Sequence, residues 1–121
     1  MGTFQHRIEA GDPQGQRYEE VEALVDTGAS HTVIPAAMLR RLGVQPTERW
    51  PFRLPDDSLV ERDVGQTWIR IDGASVITLV VFGEEGVTPL LGGYTLEGLR
   101  LGVDAVNERL VPTPGLLMGE T

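Results

Sequence analysis

The 121-residue chain contains no cysteine and no lysine. Without cysteine there is no disulfide framework, no thiolate zinc site and no thiol nucleophile. Without lysine, every one of its ten basic residues is arginine, set against eighteen acidic residues for a formal net charge of −8. A chain this acidic repels phosphate backbones, which argues against nucleic-acid binding. It suits a solvated exterior or, at its sharpest, a weak pull on basic peptides. Histidine is scarce. His6 and His31 lie far apart with no helical HxxxH spacing, so no metal site and no cofactor is expected. No apolar run approaches about 18 residues, and the N-terminal MGTFQHRIEA lacks an apolar signal core. The expectation is no membrane association and a cytoplasmic location. Low-complexity tracts are missing too, and 40% hydrophobic residues suffice for the core of one domain.

What is present is a succession of short β-favouring stretches punctuated by turn residues. Phe4 to Ala10, Tyr18 to Val25 and His31 to Ile34 read as strands, the first two joined by a turn at Gly11-Asp12-Pro13-Gln14-Gly15. Pro35 opens a short helix, AAMLRRL, that Gly43 closes. Residues 45 to 51 read as a loop. Phe52 to Leu54 and Leu59 to Arg62 flank a hairpin tip at Pro55-Asp56-Asp57-Ser58. Trp68 to Ile71 is another strand, ended by Asp72-Gly73, and Val76 to Phe82 is nearly continuous in apolar residues, as a strand buried on both faces would be. A second helix is expected from about Thr95 to Leu101, then Gly102, and a last strand from Asn107 to Pro112. The domain spans 1–112, with a flexible tail over 113–121. One echo runs through the chain. Leu39-Arg40-Arg41-Leu42-Gly43-Val44 resembles Leu99-Arg100-Leu101-Gly102-Val103, and each follows an apolar stretch running into glycine, LVDTG and PLLGG. Either two similar strand-turn-helix halves or a chance match of common residues accounts for it.

The stretch ALVDTGASHTVIP, residues 23 to 35, sets one carboxylate inside an apolar run. Burying an unpaired charge costs several kcal/mol or forces a pKa shift, so Asp26 needs either a partner or a job. As a plain turn acid it would need neither. A Thr-Gly-Ala turn after the strand could instead present it at the floor of a cleft, with Thr27 fixing the turn and Gly28 allowing close backbone approach. Peptide hydrolysis without metal or covalent nucleophile needs two carboxylates, one ionised to activate water and one protonated to polarise the carbonyl. The chain has a single Asp-Thr-Gly, so the second acid must come from another copy across a two-fold axis.

ALVDTGASHTVIP resembles the active-site signature of aspartic proteases, and a single such motif in a short chain is similar to the retropepsin-like members. The resemblance covers roughly residues 3 to 112. Its second landmark is Leu90-Leu91-Gly92 before the second helix, a segment that in the family packs across the catalytic loop. The resemblance implies an all-β fold, a small closed barrel of the acid-protease type with one or two short helices, working as a homodimer. It implies that Asp26 is the catalytic acid/base, that Thr27 hydrogen-bonds across the dimer axis, and that Gly28 contacts substrate or dyad through its backbone. Substrate-binding positions would be Ala29, Ser30, His31 and Leu91, with Leu54, Pro55, Asp56, Asp57 and Ser58 on a flap above the cleft. The substrate would be an extended peptide, with no cofactor or metal. Two departures stand out. No glycine occurs between Phe52 and Val64, which implies a stiffer or shorter flap. Ser30 and Gly93 stand where retroviral enzymes often place an acid and an arginine that pair.

Other features have plainer readings. Ser30-His31 is no nucleophile-base pair, because adjacent strand residues point to opposite faces; His31 is a surface or pocket-wall residue. Gly92-Gly93 has no following lysine and is no phosphate loop. Trp50 and Trp68 suit core or interface, with a hinge or pocket role open to Trp50. The Glu19, Glu20, Glu22 and Glu84-Glu85 groups read as solvated faces. A non-catalytic dimerisation or peptide-binding module that keeps the fold is the alternative to an endopeptidase.

Overall fold

The computed structural model describes residues 3–26, 28–115 and 119. The chain begins with a hairpin of β1 (Thr3–Gly11) and β2 (Tyr18–Asp26), paired along their whole length from Thr3↔Asp26 to Gly11↔Tyr18. Asp12 makes the turn between them. Its Oδ1 accepts the backbone N–H groups of Gln16 (2.7 Å) and Arg17 (3.0 Å), so a short carboxylate satisfies donors the turn would otherwise strand. The Arg17 N–H, first among these contacts, holds the Asp12 carboxyl below the usual carboxylate range. Gly15 closes the turn with φ +69°, and the Trp68 indole lies so close that a Cβ there would be 3.0 Å from the ring. Trp68 is half-buried and covers this turn.

After β3 (Thr32–Pro35), α1 (Ala36–Arg41), β4 (Glu48–Arg53), β5 (Leu59–Ile71), β6 (Ala74–Gly83) and β7 (Leu90–Leu91) comes α2 (Gly93–Gly98). The chain then makes a separate hairpin of β8 (Leu101–Asp104) and β9 (Arg109–Pro112). The main sheet runs β1-β2-β7-β3-β6-β5-β4, and β1 also pairs with β5 at Glu9↔Arg70 and Ala10↔Ile69, which curls the sheet back on its first strand. Ile8, Val25, Ile34, Ile69, Ile71, Val80 and Leu91 from the strands meet Leu39 and Leu42 of the α1 region inside, all nearly or fully buried. Each such side chain contributes about 1.5–3 kcal/mol by leaving water.

The strands therefore fall where apolar alternation places them, with four differences. Residues 48–51 belong to β4 rather than a loop; only its Trp50 and Phe52 turn inward, so the apolar signal is thin. β5 is one strand of thirteen residues instead of two, carried through the polar Arg62-Asp63 stretch by pairing with β4 alone until β6 takes over at Val64. Gly65 lets it pass the Gln45 carbonyl, which a Cβ would meet at 2.8 Å. The second helix starts two residues early and stops at Gly98, and Leu101–Asp104 is a strand.

The fourth difference concerns the sequence echo, which is real in structure but in another register. In the first half Leu42 caps the helix and Gly43 follows with φ +83°, its N–H bonding to the Arg40 carbonyl (3.0 Å) while the Val44 N–H bonds to the Leu39 carbonyl (2.9 Å). That is a Schellman ending. In the second half Leu99 caps and Arg100 takes the left-handed place, with φ +55° and its N–H on the Glu97 carbonyl (3.0 Å). Leu39, Leu42 and Gly43 thus correspond to Leu96, Leu99 and Arg100, and Gly102 lies in β8. Of the C-terminal tail, the Thr113 N–H donates to the Arg100 carbonyl (2.9 Å); residues 116–118, 120 and 121 lie outside the described residues.

All-arginine basicity shows in the ion pairs. Arg41 reaches Glu19 (2.7 Å), Arg7 reaches Glu22 (3.3 Å), Arg62 reaches Glu84 (2.6 Å), and His6 lies 3.2 Å from Asp72. The acidic groups read as solvated faces are thus partly paired, at exposures where each pair is worth little. The Arg70 fork is better placed. It binds Glu9 bidentately (2.8 Å twice) and stacks over the Tyr18 ring (3.8 Å), tying β5 to the first hairpin.

Two predictions follow from these features. Hydrogen bonding from Arg70 depresses the Glu9 carboxyl, and that from Arg41 depresses Glu19. A depressed folded-state pKa gives stability that is complete above the unfolded value and is lost as pH falls through the folded one. Urea midpoints should therefore hold steady from neutral down to about pH 5 and fall below about pH 4, and Glu9→Gln should flatten part of that fall. Arg100→Gly, which removes a side chain from the left-handed region, should raise stability by up to about 1 kcal/mol in urea unfolding.

Candidate active site

β2 delivers Asp26 to the end of the sheet, where the chain turns. The Asp26 Oδ1 accepts the Gly28 N–H at 2.9 Å, and its main-chain carbonyl accepts the Ala29 N–H at 3.0 Å. Thr27 lies outside the described residues. Asp26 itself is only partly covered within the chain. The apolar run around it is real, yet the carboxylate emerges at the surface, so a single chain faces no buried-charge penalty. A Cβ built on Gly28 would meet Asp26 Oδ1 at an ordinary 3.5 Å. Contacts among the described residues of this chain therefore do not impose glycine there.

Glycine is imposed at Gly92. Strand β7 is two residues long and enters between β2 and β3, parallel to the first (Leu24↔Leu90, Val25↔Leu91) and antiparallel to the second (Val33↔Leu90). The Leu24 N–H reaches back to the Pro89 carbonyl (2.8 Å). Directly after β7, Gly92 presses on the loop from behind. A Cβ there would sit 2.5–2.6 Å from the backbone of Ser30 and His31, a distance no side chain tolerates. The Gly92 N–H donates to Thr32 Oγ1 (3.0 Å), and the Thr32 and Thr95 hydroxyls, both fully buried, bond at 2.6 Å. The Gly93 and Tyr94 N–H groups donate to the Ala29 and Ser30 carbonyls (2.9 and 3.0 Å). Where Ser30 and Gly93 replace an acid and an arginine, backbone hydrogen bonds brace the loop.

Beside the loop lies a groove of about 230 Å³, lined by His31, Val33, Phe52, Leu54, Val60, Arg62, Val81 and Val87. One wall is the β3–β6 region; the other is the arm formed by β4 and the start of β5. The arm ends in a tight turn. Pro55 takes its second position, Asp57 sits at φ +74°, the Asp57 N–H bonds to the Leu54 carbonyl and the Leu54 N–H to the Ser58 carbonyl (both 2.8 Å). Asp56 Oδ1 accepts the Ser58 hydroxyl (2.5 Å) and N–H (3.0 Å), and the hydroxyl bond above all lowers the Asp56 carboxyl below its usual range. Asp57 also pairs with Arg53 (3.0 Å). The glycine-free tip is held by these side chains.

The structure thus brings Asp26, Gly28, Ala29 and Ser30 together in one loop and places His31 and Leu54 in the groove, while Pro55 to Ser58 occupy the exposed tip. Leu91 requires correction. Its side chain is fully buried behind the loop and braces it, away from the groove. Six groove residues were not singled out beforehand; three of them, Phe52, Val60 and Arg62, follow from strand alternation once β4 and β5 are seen to pair as Phe52↔Val60 and Trp50↔Arg62.

A curled β-sheet whose short wedge strand braces a carboxylate loop defines a domain of the retroviral aspartyl protease class. Residues 16–97, more than half of the chain, match the family model described as "gag-polyprotein putative aspartyl protease", and the chain belongs to that family. Its structure resembles the solution structure of simian foamy virus (mac) protease with a TM-score of 0.55 at 19% identity, over 78% of this chain and 92% of that one; at this identity the likeness is one of fold. No curated protein sequence matches it.

The buried threonine pair gives a test of the brace. Thr32→Val leaves the Gly92 N–H without its partner and the Thr95 hydroxyl with only a long contact to Thr78 (3.4 Å), which should cost about 1–3 kcal/mol in urea unfolding. Thr32→Ser should recover most of it.

Proposed function

We propose that the protein is an aspartic endopeptidase active as a homodimer, its sheet closing into a small barrel and two copies meeting at their Asp26 loops. Each chain supplies one carboxylate. Like charges about 3 Å apart do not both ionise easily, so the pair shares a proton. The ionised member takes a proton from a water held between them; that water attacks the scissile carbonyl carbon. The protonated member polarises the carbonyl oxygen, and a proton passes to the leaving nitrogen as the C–N bond breaks.

The observation that carries this reading is the Asp26 loop: a partly exposed carboxylate, its Oδ1 fixed by the Gly28 N–H, on a turn braced from behind by Gly92. Preorganised groups of this kind lose little on reaching a transition state. The room over Gly28 suits the approach of a peptide or a second copy. The apolar groove suits a side chain of an extended peptide, and the β4–β5 arm along it would serve as the flap.

Cleavage of a mixed-peptide library should peak on the acidic side of neutral, as a mono-protonated pair requires. Asp26→Asn should abolish turnover while sedimentation still finds the dimer. An Asp26→Asn chain that retains cleavage, or a wild-type chain that stays monomeric while active, contradicts the reading. A chain that binds peptide equally well with either residue and cleaves it with neither is a binding module.

A further inference from the structure

Four rings from three separate parts of the chain meet at one edge of the groove. The His31 imidazole stands edge-on to Phe52 and Tyr94 (centroids 5.3 Å each, interplanar angles 82° and 85°) and to Trp50 (6.3 Å, 80°). Trp50 and Phe52 lie 6.3 Å apart on the same face of β4, and the Trp50 indole N–H is anchored on Glu48 (2.6 Å). Tyr94 belongs to the first turn of α2. Edge-to-face packing is the arrangement aromatic quadrupoles favour. The three rings surround a space that the imidazole itself fills.

The backbone explains why this matters. β4 ends the sheet order and hydrogen-bonds only to β5. β5 meets β6 first at Val64↔Val81, so its residues 59–63 pair only with β4. The arm is a two-stranded ribbon reaching beyond the sheet, a structure of marginal stability by itself. Trp50 stands midway along it and Phe52 next to its tip. His31, in contrast, is held rigidly, since Gly92 presses on its backbone at a spacing that excludes a Cβ.

We propose that His31 is a positioning residue that couples the arm to the catalytic loop: its imidazole, gripped by Trp50, Phe52 and Tyr94, fixes the arm's angle over Asp26 and so sets how a peptide is covered. The catalytic part of this statement rests on the protease reading; the mechanical part does not. Loss of the imidazole frees the arm while the loop and the core sheet keep their structure.

Amide hydrogen exchange on the full chain tests the mechanical part. In His31→Ala, protection across β4 and residues 59–63 should fall about tenfold or more, while amides of the β5–β6 pairing at Thr67–Ile71 keep theirs. His31→Phe, which refills the space with a ring, should restore it. Tyr94→Ala, at a position 56% exposed and tolerant of truncation, should show the same local loss in smaller measure. In peptide cleavage His31→Ala should raise KM about threefold or more at nearly constant kcat, with recovery in His31→Phe. Unchanged arm protection in both truncations overturns the proposal. So does an equal loss throughout the sheet, which would mark general packing, and so does a KM that stays raised in His31→Phe, which would mark direct contact with substrate. A wild-type chain without peptidase activity fails the functional reading alone, and exchange then decides the coupling.

Discussion

The close contact of Gly92 with the backbone of Ser30 and His31 is the constraint on which the site depends. It exists because β7 threads between β2 and β3, taking a parallel ladder from one and an antiparallel pair from the other. Two residues of strand suffice because Leu91 packs into the core and the hydrogen bonds continue past them, through Gly92, Gly93 and Tyr94 onto the loop. Buried backbone groups must find partners, and here those partners are the Asp26 loop itself. The orientation of Asp26, the fixed base of His31 and the buried threonine pair all follow from that seating.

The same contact separates two uses of glycine that look alike in the sequence. Gly92 and Gly93 are adjacent, but a Cβ on Gly93 would meet the Ala29 carbonyl at an ordinary 3.6 Å, whereas on Gly92 it would intersect the chain. Gly28 is spacious. Gly43 serves its positive φ alone, a service Arg100 performs in the second half. Composition does not distinguish these cases; only the fold brings the opposing backbone into place.

Much of the fold was legible because the inward residues alternate in β1 and β2, because β6 is nearly continuous in apolar residues, and because Asp-Thr-Gly and Leu-Leu-Gly are each short and local. The rest was hidden for identifiable reasons. β4 places arginine and proline outward at Arg49, Pro51 and Arg53 and only two rings inward, so it resembles a loop. β5 draws its continuity from two successive partners, β4 up to Val64 and β6 from there on, rather than from its own polar middle. The second helix ended early because a left-handed arginine took the place a glycine was expected to hold. In the candidate site, the loop was readable and the groove was not: His31, Phe52, Val60 and Val81 converge only through pairings made far along the chain. Leu91, expected as a substrate-binding position, has its side chain buried in the core.

Those distant pairings give the order of assembly a biological edge. Leu24 meets Leu90 and Thr32 meets Thr95 across more than sixty residues, so the loop bearing Asp26 is complete only once the last quarter of the chain has arrived. A polypeptide still on the ribosome carries the acid but not its buttress. A chain truncated before Leu90 keeps Asp26 and loses the strand that seats its loop.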